Sequence, residues 1–284
     1  MKIKHLTACI LCLICPSLAA QMDDREVPLS INEGTLVGIG HFNIKNNYLS
    51  DNIRYSGWGV QFMNERMRIT SLLDHHLSVQ QILYADLSST LNPAETIGEL
   101  SGFAEYSYGY HYRFYLSPQL KLLAGSAVHG LLGFLYNTQG SNNPFALSAD
   151  VDLDFSAAAI YSFNLKKYPL TFRYQMNIPF IGAAFAPGYE QSYYEIFGLG
   201  NYDGIVHFAS FHNKFAMRNY ATLDFPLGNL TIRVGYLNKL YYTDINKIEV
   251  HHVSHNIMFG VAKEFITFSG KRLKNKHLYQ SAFY

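Results

Sequence analysis

Residues 103–116 read FAEYSYGYHYRFYL, and their alternation decides the fold class. Ala104, Tyr106, Tyr108, Tyr110, Tyr112, Phe114 and Leu116 fall on one side; Phe103, Glu105, Ser107, Gly109, His111, Arg113 and Tyr115 fall on the other. Strand side chains alternate between faces with a period of two, so this is a β-strand with one aromatic and one mixed polar face. In a soluble core every tyrosine hydroxyl would need a hydrogen-bond partner. At a lipid boundary the same tyrosines are well placed, and the opposite face can be polar where it lines a barrel lumen.

The same period runs through other segments. Val151, Leu153, Phe155, Ala157, Ala159, Tyr161 and Phe163 oppose Asp150, Asp152, Asp154, Ser156, Ser162 and Asn164. Leu170, Phe172, Tyr174, Met176, Ile178 and Phe180 oppose Thr171, Arg173, Gln175 and Asn177; Leu230, Ile232, Val234 and Tyr236 oppose Thr231, Arg233 and Gly235. Further strands are expected at 35–44, 57–69, 77–87, 120–136, 205–225 and 248–265. The sum is about ten strands, within a range of roughly 8–12. Tight turns at Ser117-Pro118, 166–169 and 226–229 alternate with longer links at 88–98, 137–148 and 181–204. Short periplasmic turns and long extracellular loops have this asymmetry in outer-membrane barrels. The expectation is an all-β, transmembrane, up-and-down antiparallel β-barrel with both termini in the periplasm. A soluble sandwich would need its apolar faces to share one core.

Lys2 and Lys4, the apolar run Leu6–Cys15 and the small residues before Gln21 form a secretory signal peptide, residues 1–20, cleaved near Gln21. The apolar run is too short to span a bilayer as a helix. Cys9, Cys12 and Cys15 all lie within it, so the mature chain would lack disulfides, thiolate metal sites and a cysteine nucleophile. Losing Lys2 and Lys4 leaves 20 basic against 21 acidic residues, a net charge of −1 that argues against nucleic acid as a partner. The expected division is a periplasmic segment at 21–32, the barrel at 33–265 and a periplasmic tail at 266–284. The tail ends in the aromatic pair Phe283-Tyr284, the kind of ending used for barrel assembly.

The stretch Gly188–Asp224, with Ser192-Tyr193-Tyr194-Glu195-Ile196-Phe197, His207, Ser210-Phe211-His212-Asn213 and Leu223-Asp224-Phe225-Pro226, resembles an uncharacterised family of Gram-negative outer-membrane barrels. The resemblance implies the fold and the outer-membrane location and carries no activity.

Four constellations could carry chemistry. His252 and Ser254 share a face, so the imidazole could take the hydroxyl proton. The pair resembles the His-x-Ser arrangement of outer-membrane phospholipases and lipid A deacylases, which act on the barrel exterior. It departs from them because His255 separates Ser254 from Asn256. A polar patch at the strand rim is the plainer reading, and the apolar Ile257, Phe259 and Val261 would turn the pair inward unless a bulge resets the register.

Asp150, Asp152 and Asp154 stack at about 7 Å steps on one face and could gather a cation or perturb one another. Ten-stranded outer-membrane proteases set such a pair against Asp-x-His, but Asp74 and His76 are expected at the opposite end. The plainer reading is a lumen charge network with Arg113, Arg173, His212, Lys214, Arg218 and Lys239 as partners. His212, His251, His252 and His255, with Glu249, could in principle ligate a metal. So could His75, His76, His111 and His129, but no alternation sets three histidines on one face, so no metal site is assigned. In the link 181–204, Tyr189, Tyr193, Tyr194, Phe197 and Tyr202 among glycines and polar residues have the composition of a binding surface, or of a loop packed over or into the mouth.

The expected role is therefore non-enzymatic: surface binding or envelope structure through extracellular loops, without a cofactor. Outer-membrane lipid, the barrel-assembly machinery and an extracellular ligand are the expected partners. Lipid acyl hydrolysis through His252 and Ser254 is the enzymatic alternative, and a narrow diffusion channel the third.

Overall fold

The computed structural model describes residues 30–50, 53–139, 144–189, 191–227, 230–266 and 281–283. Long strands dominate: β1 (Ser30–Asn46), β2 (Tyr55–Ile69), β3 (Leu77–Leu91), β4 (Gly98–Tyr115), β5 (Leu120–Asn137) and β6 (Phe145–Leu165). They continue as β7 (Tyr168–Phe185), β8 (Val206–Ser210), β9 (Lys214–Leu227), β10 (Leu230–Ile245) and β11 (Ile248–Ile266), with a short helix α1 (Tyr193–Phe197) between β7 and β8. Strands adjacent in the chain pair antiparallel except β8 with β9, β1 pairs with β11, and the ring closes. Ten wall positions result, because β8 and β9 both pair with β7 and share one position. The strand expected over 205–225 is broken at 211–213, where Asn213 Oδ1 accepts the Ser210 N–H and its own N–H donates to the Ser210 carbonyl.

Alternation holds around the wall. Tyr106, Tyr110, Tyr112 and Phe114 are exposed, while Glu105, Ser107, His111 and Arg113 between them are buried. Ile39, Val60, Leu132, Val151, Phe155, Tyr236 and Phe259 continue the apolar exterior on other strands. Beyond a register shift at Leu153/Asp154 the parity of β7 changes: Phe180 is skipped and Ala184 turns inward. Two residues oppose one at such a bulge, which resets every later side chain.

The lumen is filled in layers. At the long-loop end Ile44, Phe103, Leu131, Leu135 and Ala146 pack together. Leu36, Met63, Ile82, Tyr84, Tyr220, Leu237 and Met258 form a middle layer. Met67, Ile69, Leu123, Ala158, Ile160 and Ala262 close the short-turn end. Charged residues lie between these layers: on β2 Glu65 separates Met63 from Met67, and on β10 Arg233 and Lys239 flank Leu237. A barrel of this size has room inside chiefly for side chains, and burial of apolar groups and paired charges fills it.

Two boundaries differ from the sequence expectation. β1 begins at Ser30, inside the segment assigned to the periplasm. Ala282 and Phe283 are not outside the barrel but buried in the short-turn layer with Met67 and Ile160, because an aromatic ring is better placed in that apolar layer than in water. The signal peptide and Gln21 lie outside the described residues.

Candidate functional site

The upper charge layer is built from inward positions of six strands. Lys239 Nζ lies 2.5 Å from both Asp86 and Glu105. Lys214 Nζ bridges Asp150 at 2.7 Å and Asp152 at 2.6 Å, and the Tyr241 hydroxyl donates to the same Asp150 oxygen at 2.8 Å. Arg218 pairs with Asp154, and His129 lies between Glu105 at 3.2 Å and Asp152 at 3.7 Å. Every charged member is buried, so each charge depends on a fixed partner. His129, Asp152 and Asp154 converge closely enough to hold a metal ion, with ligand atoms within 4.8 Å of one another. The cations of the chain already occupy the cluster: Arg218 Nη1 is 2.9 Å from His129 Nε2, and Lys214 holds Asp152. The donor set therefore suits an ion-pair network better than a metal centre.

A second layer lies nearer the short turns. Arg173 pairs with Glu65 at 2.6 Å, and Arg233 reaches Glu65 at 3.1 Å while gripping Asp224 through two contacts of 2.7 Å. The Phe283 ring packs against both guanidinium groups, 5.2 Å from Arg173 and 4.5 Å from Arg233. Asn32 Oδ1 accepts the Ala282 N–H at 2.8 Å, and Arg113 donates to the Ser281 carbonyl at 3.2 Å.

The mouth at the long-loop end is covered by the segment around α1. Five residues are too few for a helix to stand on propensity. A capping box supports it: the Glu195 N–H donates to Ser192 Oγ at 3.2 Å, and the Ser192 N–H donates to the Glu195 carboxylate at 2.9 Å. The Tyr193 hydroxyl oxygen accepts the Leu147 N–H of β6 at 2.7 Å, and its ring packs on Tyr48, Phe145 and Phe185. Burial pushes the Tyr193 hydroxyl up to about 12, and burial together with the Glu195 carboxylate raises that of Tyr48. Tyr48 donates to the Gln191 carbonyl at 3.1 Å, and Ile196 is fully buried. About 40 Å³ of space, lined by Tyr48, Tyr193 and Tyr241, remains beneath this cover. Its other face is different: Tyr189, Tyr194, Phe197, Leu199 and Tyr202 are all at least 60% exposed.

The expected residues divide accordingly. Asp150, Asp152, Asp154, Lys214 and Arg218 meet in one layer, with Lys239 beside them. Arg113 and Arg173 do not join the aspartates; their positions on β4 and β7 set them near the short turns, with Ser281 and Glu65. His212 lies outside the lumen, 2.6 Å from Ser210 Oγ. His252 and Ser254 both face inward: His252 stacks on Phe103 at 4.4 Å, and Ser254 Oγ accepts from Asn256 at 3.1 Å. No bulge interrupts the β1–β11 register, so the pair keeps the parity that Ile257 and Phe259 dictate and is closed to exterior lipid. Asp74 and His76 sit in the β2–β3 turn, at the other end from Asp150. Of the five loop aromatics, Tyr193 is an anchor and the other four are exposed. Glu65, Asp86, Glu105, Asp224, Arg233 and Tyr241 carry no site signal in the sequence beyond the inward position that simple alternation gives each, and His129 enters there only as a possible metal ligand.

A closed ring with an apolar wall and a filled polar interior spans a bilayer, and the chain is an outer-membrane β-barrel. A comparison with curated proteins gives no match. Among solved structures the chain is similar to the transport unit of the autotransporter AIDA-I from Escherichia coli, at 9% identity over 92% of this chain and 97% of that one, with a TM-score of 0.43. It is also similar to the outer membrane protease OmpT from Escherichia coli, at 8% identity over 83% and 97%, with a TM-score of 0.43. The beta domain of the Bordetella autotransporter BrkA shares 11% identity over 83% and 99%, with a TM-score of 0.37. The family model described as a protein of unknown function, DUF3316, matches residues 6–272, and the chain belongs to that family.

Proposed function

We propose that this barrel is a surface-binding protein whose working part is the outward face of the segment around α1. The observation that carries the reading is the division of one short helix. Tyr193 and Ile196 hold it to the mouth, while Tyr194 at 72% exposure and Phe197 at 60% project into solvent. Leu199 at 66% and Tyr202 at 61% are exposed in the segment that follows. Contiguous exposed aromatics on an anchored backbone favour a partner, since rings with few rotatable bonds lose little entropy on contact. The extracellular side follows from the loop asymmetry of such barrels, and the compartment implies a secretory signal peptide ahead of β1. Glycans and protein surfaces both match aromatic and amide side chains.

The layered lumen does not favour a diffusion channel, and the inward His252 and Ser254 do not favour lipid hydrolysis on the exterior. The test displays the protein on intact cells and measures adhesion to immobilised glycans and to extracellular-matrix proteins. Adhesion that falls several-fold in a Tyr194→Ser/Phe197→Ser/Tyr202→Ser variant supports the reading. Adhesion unchanged in that variant, or absent in the parent chain, removes it.

A further inference from the structure

The lipid-facing wall carries a polar row that neither the lumen nor the capped mouth explains. Asn219, Asn238, His255, His41 and Trp58 are direct register partners on β9, β10, β11, β1 and β2. Asn219, Asn238, His255 and His41 take outward parity, since their chain neighbours Arg218, Tyr220, Lys239, Ser254, Asn256 and Phe42 are buried; Trp58 is 64% exposed, and Asn238 is itself covered by its neighbours at 9%. Hydrogen bonds hold each of its polar side chains to a neighbour on the wall. Tyr174 donates to Asn219 at 2.8 Å, Asn219 to Asn238 at 3.2 Å, and the Tyr236 hydroxyl lies 2.6 Å from His255 Nδ1. His41 Nε2 is 3.1 Å from Ser56 Oγ, and the His41 ring meets Trp58 edge to face at 5.6 Å.

Hydrogen-bonding side chains on a lipid-facing wall are costly in hydrocarbon and mark sites of function. This row is also one-sided. At the same level β4 and β5 present Leu100 and Tyr136 outward, so the polar belt is not a general rim. Below the His41 and Trp58 end of the row the exterior is apolar and concave: a groove of about 990 Å³ is lined there by Val37, Ile39, Val60, Phe62, Leu87 and Phe259, and it continues to Leu132 and Phe145 on β5 and β6. Above it stand the exposed Arg54 and a Lys45–Glu249 pair at 2.5 Å beside His251.

We infer that this wall is a binding site for a phosphorylated glycolipid of the outer leaflet. Acyl chains occupy the groove, sugar rings meet Trp58, His41 and the amide row, and Arg54 faces the phosphate. An amphiphile held in the membrane is the occupant whose apolar and polar parts follow in the same order as the wall.

Trp58 is the single tryptophan of the chain, so its emission reports on the site directly. The folded barrel in detergent, verified by heat-modifiable gel migration, is titrated with deep-rough lipopolysaccharide and separately with phosphatidylglycerol. The expected result is a saturable change in Trp58 emission with lipopolysaccharide, weaker by roughly tenfold or more in apparent affinity with phosphatidylglycerol. Arg54→Glu, an exposed change outside the strands, and His41→Leu each weaken it by roughly tenfold, while Tyr161→Ala at the short-turn end of β6 does not. Equal response to both lipids, or unchanged affinity in both site variants, overturns the inference. An emission change that follows protein concentration without lipid also overturns it, and assigns the wall to a second copy of the chain.

Discussion

Phe283 and Arg233 are 50 residues apart in sequence, yet the ring lies 4.5 Å from the guanidinium carbon. The same ring packs with Met67, Ile160 and Ala262, so the chain terminus fills the last apolar layer of the lumen it has just finished building. Phe283→Ala removes both the cation–π contact and the buried ring. A loss of about 3 kcal/mol is expected, the lower part of the range for a buried aromatic. Urea titration of the folded band on unheated gels checks it, and a midpoint equal to the parent's would show that the terminus contributes nothing.

Lys214 is the cation between Asp150 and Asp152. Lys214→Met leaves two buried carboxylates facing each other and costs about 3–5 kcal/mol. Asp150→Asn/Asp152→Asn in the same background restores much of that stability, because the uncompensated charges are then gone. A triple variant no more stable than Lys214→Met would contradict the network.

Tyr193 ties α1 to the β6 edge through the Leu147 N–H. Tyr193→Phe leaves that donor unmatched at a cost of about 1 kcal/mol, and cleavage by added protease between 198 and 204 on intact cells should rise several-fold. The folded hydroxyl is pushed up to about 12 from an ordinary value of 10.0. A raised acid is stabilising in its neutral form, so the anchor is complete below pH 10 and is lost as pH rises from there through about 12. Loop protection should therefore be flat through neutral pH and fall only in that alkaline window.

Leu36, Met63, Ile82, Tyr84, Tyr220, Leu237 and Met258 pack into one buried apolar layer in the middle of the lumen. Planar bilayers containing the folded barrel should show no conductance steps. Regular steps at the single-molecule level would mean that this layer opens.

His252 lies 4.4 Å from the Phe103 ring, on the lumen side of β11. Incubation of the folded barrel with outer-membrane lipids should release no fatty acid, in the parent chain or in Ser254→Ala. Release confined to the parent would require β11 to slip by one residue, which would also turn Ile257 and Phe259 into the lumen.

Parity along one strand is a local property, so Glu105 and Arg113 were correctly set opposite Tyr106 and Tyr112 from their order alone. Which charges meet across a closed ring depends on the offset between strands far apart in sequence. Arg173 was paired with the wrong carboxylates for that reason: β7 brings it level with Glu65 of β2, below the aspartates of β6. Tyr193 was grouped with exposed tyrosines because composition cannot distinguish the ring that holds a loop from the rings it displays.

The sequence by itself determined the barrel, its ten wall positions, its lipid-facing side and the alternation of long and short connections, because a period of two and turn chemistry are written residue by residue. Only the tertiary structure decided the stacking of the lumen, the capping of the mouth and the polar row from Asn219 to Trp58. Each of these depends on cross-strand register around a closed ring, and register emerges only when every strand is paired at once.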